Sequence, residues 1–217
     1  MTSDAMTEST EASLLARVAA YYTDKIHQHG STPRGVDWRD VESQEMRFAS
    51  LLRIIENDSA ASLIELGCGY GALYGYLIRQ DFNLDYFGYD ISEEMVTAAK
   101  DLYLDEHSRF MIGSHPRRQA DYCVASGIFN VRFDLSDHDW RCYLYNTLDV
   151  MAAVARKGFA FNCLTSFSDR ERQESRLFYG NPGEMLNHCI KRYGRRVALL
   201  HGRPPYEFTL LIWHGSS

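Results

Sequence analysis

Three glycines at alternating positions follow a short apolar run in Ser62-Leu63-Ile64-Glu65-Leu66-Gly67-Cys68-Gly69-Tyr70-Gly71-Ala72-Leu73. A residue without a Cβ lets the backbone turn sharply and approach a ligand that any side chain would hold off, so the stretch reads as a cradle for something flat or phosphorylated. Glu65 lies at the end of the apolar run, and Asp90 stands about twenty positions on, where a carboxylate can hold a ribose. Histidine is the side chain whose ordinary pKa suits a general base at neutral pH. Of the eight histidines, His29 and His201 are placed to reach the cradle, with a purely structural role as the competing reading for each. Arg34 offers a guanidinium fork to a carboxylate of cofactor or substrate, or else pairs with Asp37 at the surface while Trp38 anchors the loop.

These groups need elements to position them. Leu14, Leu15, Val18, Ala19, Tyr22 and Ile26 recur at helical spacing over residues 9–28, with Ser9 or Thr10 as cap. Residues 29–38 read as a loop by their Gly and Pro content, and a second helix over 40–56 turns Val41, Met46, Phe48, Leu51, Leu52 and Ile55 inward. The glycine turn then opens a helix carrying Leu73, Leu77 and Ile78. Strand 84–90, helix 92–104, strands 109–112 and 121–126, a polar loop 133–140, a helix to 156 and strand 158–165 come next. A polar excursion over 166–195 carries Arg170, Arg172, Arg176 and Tyr179 and ends in a helix near 184–192. Strands 197–201 and 206–214, joined by a tight turn, close the chain. Such alternation predicts an α/β fold with a parallel sheet and helices on both faces. Ligands of open parallel sheets lie at the carboxyl ends of the strands, here 65–71, Asp90-Ile91, Gly113-Ser114, 126–130 and Thr165-Ser166.

Two cofactor readings meet at the turn. Gly67, Gly69 and Ala72 with Asp90 satisfy the loose dinucleotide fingerprint, which keeps an NAD(P)-dependent oxidoreductase open. The longer pattern acidic-x-Gly-x-Gly-x-Gly, met by Glu65, Gly67, Gly69 and Gly71, resembles the first motif of the class I (Rossmann-like) S-adenosylmethionine-dependent methyltransferases. Five alternating strands followed by a hairpin fit that family over residues 60–217. The front of the chain, with Tyr21-Tyr22, His29-Gly30, Arg34-Gly35-Val36-Asp37-Trp38 and Ser43-Gln44, resembles bacterial methyltransferases of small molecules.

The resemblance implies a seven-stranded, mostly parallel sheet with an antiparallel last strand and helices on both faces. An N-terminal helical lid (1–58) would precede the S-adenosylmethionine-binding domain (59–217). It implies that the turn, Cys68 included, passes under the methionine part of the cofactor, that Asp90 takes the ribose hydroxyls, and that Gly113 and Ser114 flank the adenine amino group. The usual acidic partner is absent at that last place. Ile91 and Met95 would pack on the adenine face, or simply on the core. Arg34, Trp38, Ser126 and Gly127 complete the expected cofactor contacts, and Asn130, Thr165, Arg176 and Tyr179 the expected acceptor wall. The segment 126–130 lacks the Asn/Asp-Pro-Pro-aromatic motif of nucleic-acid amino methyltransferases. The expected reaction is in-line methyl transfer to an oxygen or nitrogen of a small polar molecule, with the arginines favouring an anionic one. A cofactor-binding module without turnover is the remaining alternative.

Composition narrows the classes further. At 217 residues the chain makes one sizeable core, and a formal net charge of -6 argues against a general affinity for nucleic acid or an anionic membrane. No apolar run reaches the roughly 18 residues of a membrane span and the polar start has no signal-peptide core, which points to the cytoplasm. Five cysteines, an odd number without a C-x-x-C pair, support neither zinc nor a disulfide framework. Asp134, Asp137, His138 and Asp139 read as a solvated loop capping the helix that follows, so no metal is expected. Oligomeric state is not legible.

Overall fold

Strand β1 (Ser62–Leu66) sends alternate side chains to two apolar clusters, Leu63 to one face and Ile64 and Leu66 to the other. The computed structural model describes residues 8–56, 58, 60–202 and 205–215. Six further strands join β1: β2 (Asp85–Asp90), β3 (Phe110–Ile112), β4 (Ala120–Ala125), β5 (Ala155–Leu164), β6 (Val197–His201) and β7 (Glu207–Trp213). Their order is β3-β2-β1-β4-β5-β7-β6, and β7 runs antiparallel to both its neighbours while the other pairs are parallel. This is the seven-stranded sheet with an antiparallel last strand that the resemblance implies.

Helices cover both faces. One carries α1 (Glu8–His29) through Leu14, α5 (Asp137–Val154) through Trp140, Leu144 and Leu148, and α6 (Pro182–Tyr193) through Met185 and Cys189. The other carries α2 (Val41–Leu52) through Phe48 and Leu51, α3 (Ala72–Arg79) through Leu73 and Leu77, and α4 (Glu93–Leu102) through Val96 and Ala99. Their starts are fixed by side-chain caps: Asp40 accepts from Ser43 N at 2.7 Å, Ser92 from Met95 N at 3.2 Å, Ser136 from Asp139 N at 3.1 Å and Asn181 from Gly183 N at 2.9 Å. Asp137 and Asp139 thus occupy the first turn of α5, where carboxylates oppose the helix dipole.

Several boundaries move. α1 already contains Ser9 and Thr10, so neither caps it. β5 begins at Ala155, not at 158, because Ala155 adopts extended dihedrals and pairs with Ala120 directly after α5. Residues 33–36 of the expected loop form a 3-10 turn, Pro33–Val36. Ile78 is exposed rather than inward. Residues 203 and 204 of the closing turn lie outside the described residues. Within the first 58 residues, α2 is packed in the sheet's own core, whereas α1 and the 3-10 turn lie over the carboxyl ends of the strands. No helix among the described residues is long and apolar enough to cross a membrane.

Candidate active site

Gly67 opens the turn at the end of β1 with φ +72, and a Cβ there would lie 2.2 Å from Ile128 Cγ2. The turn is tied to the neighbouring strand: Gly67 N and Cys68 N both donate to Tyr89 O, at 2.7 and 3.0 Å. Asp90, at the end of β2, accepts from Gly69 N at 2.8 Å and from Ser92 N at 2.9 Å. Those two bonds fix the carboxylate in direction and leave further lone pairs for a ligand. Burial raises the Asp90 pKa against the pull of these backbone donors. Glu65 lies across from Gly88 of β2, accepts from the Tyr86 hydroxyl, and is pushed up to about 8, chiefly by burial and further by the charge of Asp90.

A cavity runs along this turn. The sheet ends supply Glu65, 66–70, Asp90, Ile91, Gly113, Ser114 and 126–128, α4 supplies Met95, and α1, with Glu11, Leu15, Val18 and Tyr22, covers the opening. Its lining carries three carboxyl side chains and no Lys or Arg. Thr23 of α1 donates to Glu94 at 2.8 Å and lies 3.0 Å from the Ser92 hydroxyl, which holds the cover beside Asp90. Tyr70 of the turn donates to Gln44 of α2 at 3.3 Å.

A second cavity of about 370 Å³ adjoins the first, and Tyr22, Val36, Trp38 and Gly127 line both. Trp38 packs close against Gly127: Gly127 has φ +78, and a Cβ there would be 2.5 Å from Trp38 Cζ2. On the indole sits the Arg47 guanidinium, 4.1 Å from the ring centroid. Arg47 is buried and pairs through Nε with both oxygens of buried Glu207 at 2.7 and 2.9 Å. Asn162 then donates to Glu207 at 3.0 Å and accepts from Gly127 N at 2.7 Å. A buried charge pair needs such added hydrogen bonds to offset its desolvation, and here they also fasten the partition between the cavities. At the outer rim, Arg176 donates to the Tyr21 hydroxyl at 2.9 Å, Tyr21 donates to Asp37 at 2.5 Å, and Lys25 pairs with Asp37 at 2.7 Å.

Most of the expected cofactor residues meet in the first cavity: Trp38, Glu65, Gly67, Cys68, Gly69, Asp90, Ile91, Met95, Gly113, Ser114, Ser126 and Gly127. Asn130 and Arg176 line the second. The rest line neither. Arg34 is exposed, since the 3-10 turn directs it outward. Gly71 caps α3, and a Cβ there would collide with Tyr103 at 2.9 Å, so its small size serves packing. His29 is exposed at the end of α1. His201 pairs with the buried Thr165 hydroxyl at 3.1 Å, which occupies both residues. The Tyr179 hydroxyl accepts from Glu174 N at 3.0 Å and so braces the excursion from outside. Tyr22, Arg47, Tyr143, Thr147 and Glu207 are lining residues that the sequence reading missed.

No family model matches the chain. Solved structures share its fold. Magnesium protoporphyrin IX methyltransferase from Synechocystis PCC 6803, with bound S-adenosylhomocysteine, superposes with a TM-score of 0.65 at 14% identity, covering 92% of this chain and 99% of that one. An O-methyltransferase family protein from Burkholderia thailandensis gives a TM-score of 0.61 at 14% identity, over 90% of this chain and 63% of that one. A Mycobacterium tuberculosis (strain ATCC 25618 / H37Rv) protein named as a methyltransferase is 44% identical over 162 residues, 74% of this chain and 98% of that protein. The chain belongs to the class I S-adenosylmethionine-dependent methyltransferases. This methyltransferase has a site that fits its cofactor: the glycines leave the room a Cβ would fill, and Asp90 is oriented for a ribose diol. Three carboxyl groups suit a sulfonium and an ammonium, and the buried Ser126 hydroxyl has no hydrogen-bond partner among the described residues. Bound S-adenosylmethionine supplies an electrophilic methyl group. The protein's part is to hold acceptor and methyl in line, which removes several kcal/mol of barrier without elaborate acid-base machinery, about 7–11 kcal/mol at the most favourable.

Proposed function

We propose that this methyltransferase transfers the methyl group to an oxygen or nitrogen of a small, polar, anionic molecule held in the second cavity. One observation carries the reading: the two adjoining cavities have opposite charge. The first has three carboxyl side chains (Glu11, Glu65, Asp90) and no Lys or Arg, whereas the second has four arginines (Arg39, Arg47, Arg172, Arg176) against three carboxylates (Asp37, Glu174, Glu207). A cationic cofactor and an anionic acceptor would each be drawn to their own side, and wrong-way binding would be opposed by like charge. The size of the second cavity, about 370 Å³, suits a small molecule. Fold alone selects no acceptor, since magnesium protoporphyrin IX belongs to one protein that shares it. A methyl-transfer screen over small acids, sugars and amines tests the reading. Acids should be methylated in preference, and Arg176→Ala should raise the acceptor KM by about 10-fold or more, the scale of one charge-assisted hydrogen bond. Preference for uncharged amines or sugars, or an unchanged KM in that variant, would count against it.

A further inference from the structure

Resting on that reading, we propose that the methylated atom is a carboxylate oxygen, so that the product is a methyl ester, and that the Tyr22 hydroxyl meets this carboxylate where the two cavities join. The methyl group has to cross at the four residues common to both linings, and of Tyr22, Val36, Trp38 and Gly127 only Tyr22 carries a hydroxyl. Among the described residues no protein group hydrogen-bonds it, so it is free for a ligand. Burial, with the charges of Asp37 and Asp90, keeps the phenol protonated, so it acts as a donor and not as a base.

The chemistry around the second cavity points to the nucleophile. An alcohol or an ammonium group must give up a proton as it is methylated. Every carboxylate on the lining is already engaged: Asp37 by Lys25 at 2.7 Å and the Tyr21 hydroxyl, Glu207 by Arg47 at 2.7 and 2.9 Å, and Glu174 by Arg176 at 2.8 Å. No histidine lines that cavity among the described residues. A carboxylate has no proton to lose. Its oxygen lone pair forms the O–CH3 bond, the C–S bond breaks with its electron pair staying on sulfur, and sulfonium and carboxylate both become neutral. The step balances without a base. The arginines, although paired, leave guanidinium donors over and would attract the carboxylate, and the Tyr22 donor would fix its direction of approach at the partition.

Acids that also carry a competing nucleophile make the test direct. The full chain is incubated with methyl-labelled S-adenosylmethionine and each of 2-hydroxybenzoate, 2-aminobenzoate and a set of aliphatic hydroxy and amino acids, and the product is treated with mild alkali. Release of the label as methanol is expected, because an ester hydrolyses and an ether or N-methyl group does not. An alkali-stable product on an acid would overturn the ester inference and leave the anionic acceptor standing. Methylation of uncharged amines or alcohols with none of the acids, or of no probe at all, would count against both. On the acid that responds best, Tyr22→Phe keeps the ring and should lower kcat by about 10- to 100-fold, with the S-adenosylmethionine Kd within about twofold by calorimetry. That intact cofactor binding shows the variant is folded. Full kcat in Tyr22→Phe would remove Tyr22 from the account.

Discussion

Asp90 does its work as a carboxylate already held by two backbone amides, Gly69 N and Ser92 N, so its direction is set before any ligand arrives. Asp90→Ala should weaken S-adenosylmethionine binding by about 10- to 100-fold, the loss of charge-assisted hydrogen bonds to the ribose diol. Unchanged calorimetric affinity in the folded variant would mean the ribose lies elsewhere. Gly127→Ala tests the partition: a left-handed φ and a Cβ 2.5 Å from Trp38 should cost about 1–3 kcal/mol or more, read as a lowered denaturation midpoint with the m-value unchanged. The turn glycines and Asp90 were legible in the sequence because their chemistry is local, a strand end followed by positions where a side chain cannot fit. Tyr22 was not. Its period places it in the apolar stripe of α1, and nothing local shows that it lines two cavities at once. Arg47 was hidden for a like reason, since its partner Glu207 stands 160 positions away. His29 and His201 drew attention by type, but sequence gives no direction, and one side chain is exposed while the other is taken up by Thr165.

Among the elements, α1 is the one whose removal is informative. It joins the main core through Leu14, and it touches the cofactor cavity through Glu11, Leu15, Val18 and Tyr22. α2, by contrast, anchors one face of the sheet through Phe48, Leu51 and Leu52, so a cut inside it would damage the fold itself. Deleting residues 1–39 spares the Asp40 cap of α2. That truncated chain is expected to keep the far-ultraviolet circular dichroism of the sheet and its helices while losing S-adenosylmethionine binding. Normal binding would demote α1 to a packing element. Periodicity located these helices because each buries one stripe, and their ends shifted where tertiary pairing overrode local preference. Ala155 shows this: its N–H still closes the helix on Met151 O, but its dihedrals are extended and it pairs in register with Ala120 across the sheet.

Across the whole molecule, the buried carboxyl of Glu65 in the first cavity imposes a pH signature on stability. Glu65 has its pKa raised to about 8 by burial and by the charge of Asp90, so between its ordinary value and about 8 the native state holds a proton that the unfolded chain has released. Stability therefore falls as pH rises through that window. Thermal midpoints between about pH 5 and 8 should decline less steeply in Glu65→Gln, and also with S-adenosylmethionine bound, because a neighbouring cation favours the ionised carboxyl. An unchanged slope in Glu65→Gln would show that other groups set it. A parallel sheet with helices on both faces was legible from the alternation of strands and helices, whereas the strand order and the sorting of charge between two adjoining cavities emerged only when residues from α1, α2 and the excursion were brought over one sheet edge. If the glycine turn, Glu65 and Asp90 form a site for a cationic cofactor, calorimetric titration of the full chain with S-adenosylmethionine, S-adenosylhomocysteine, NAD and NADP shows it most directly. S-adenosylmethionine and its demethylated product should bind in competition at one site per chain, with no heat from either dinucleotide; binding of NAD without any response to S-adenosylmethionine would contradict it.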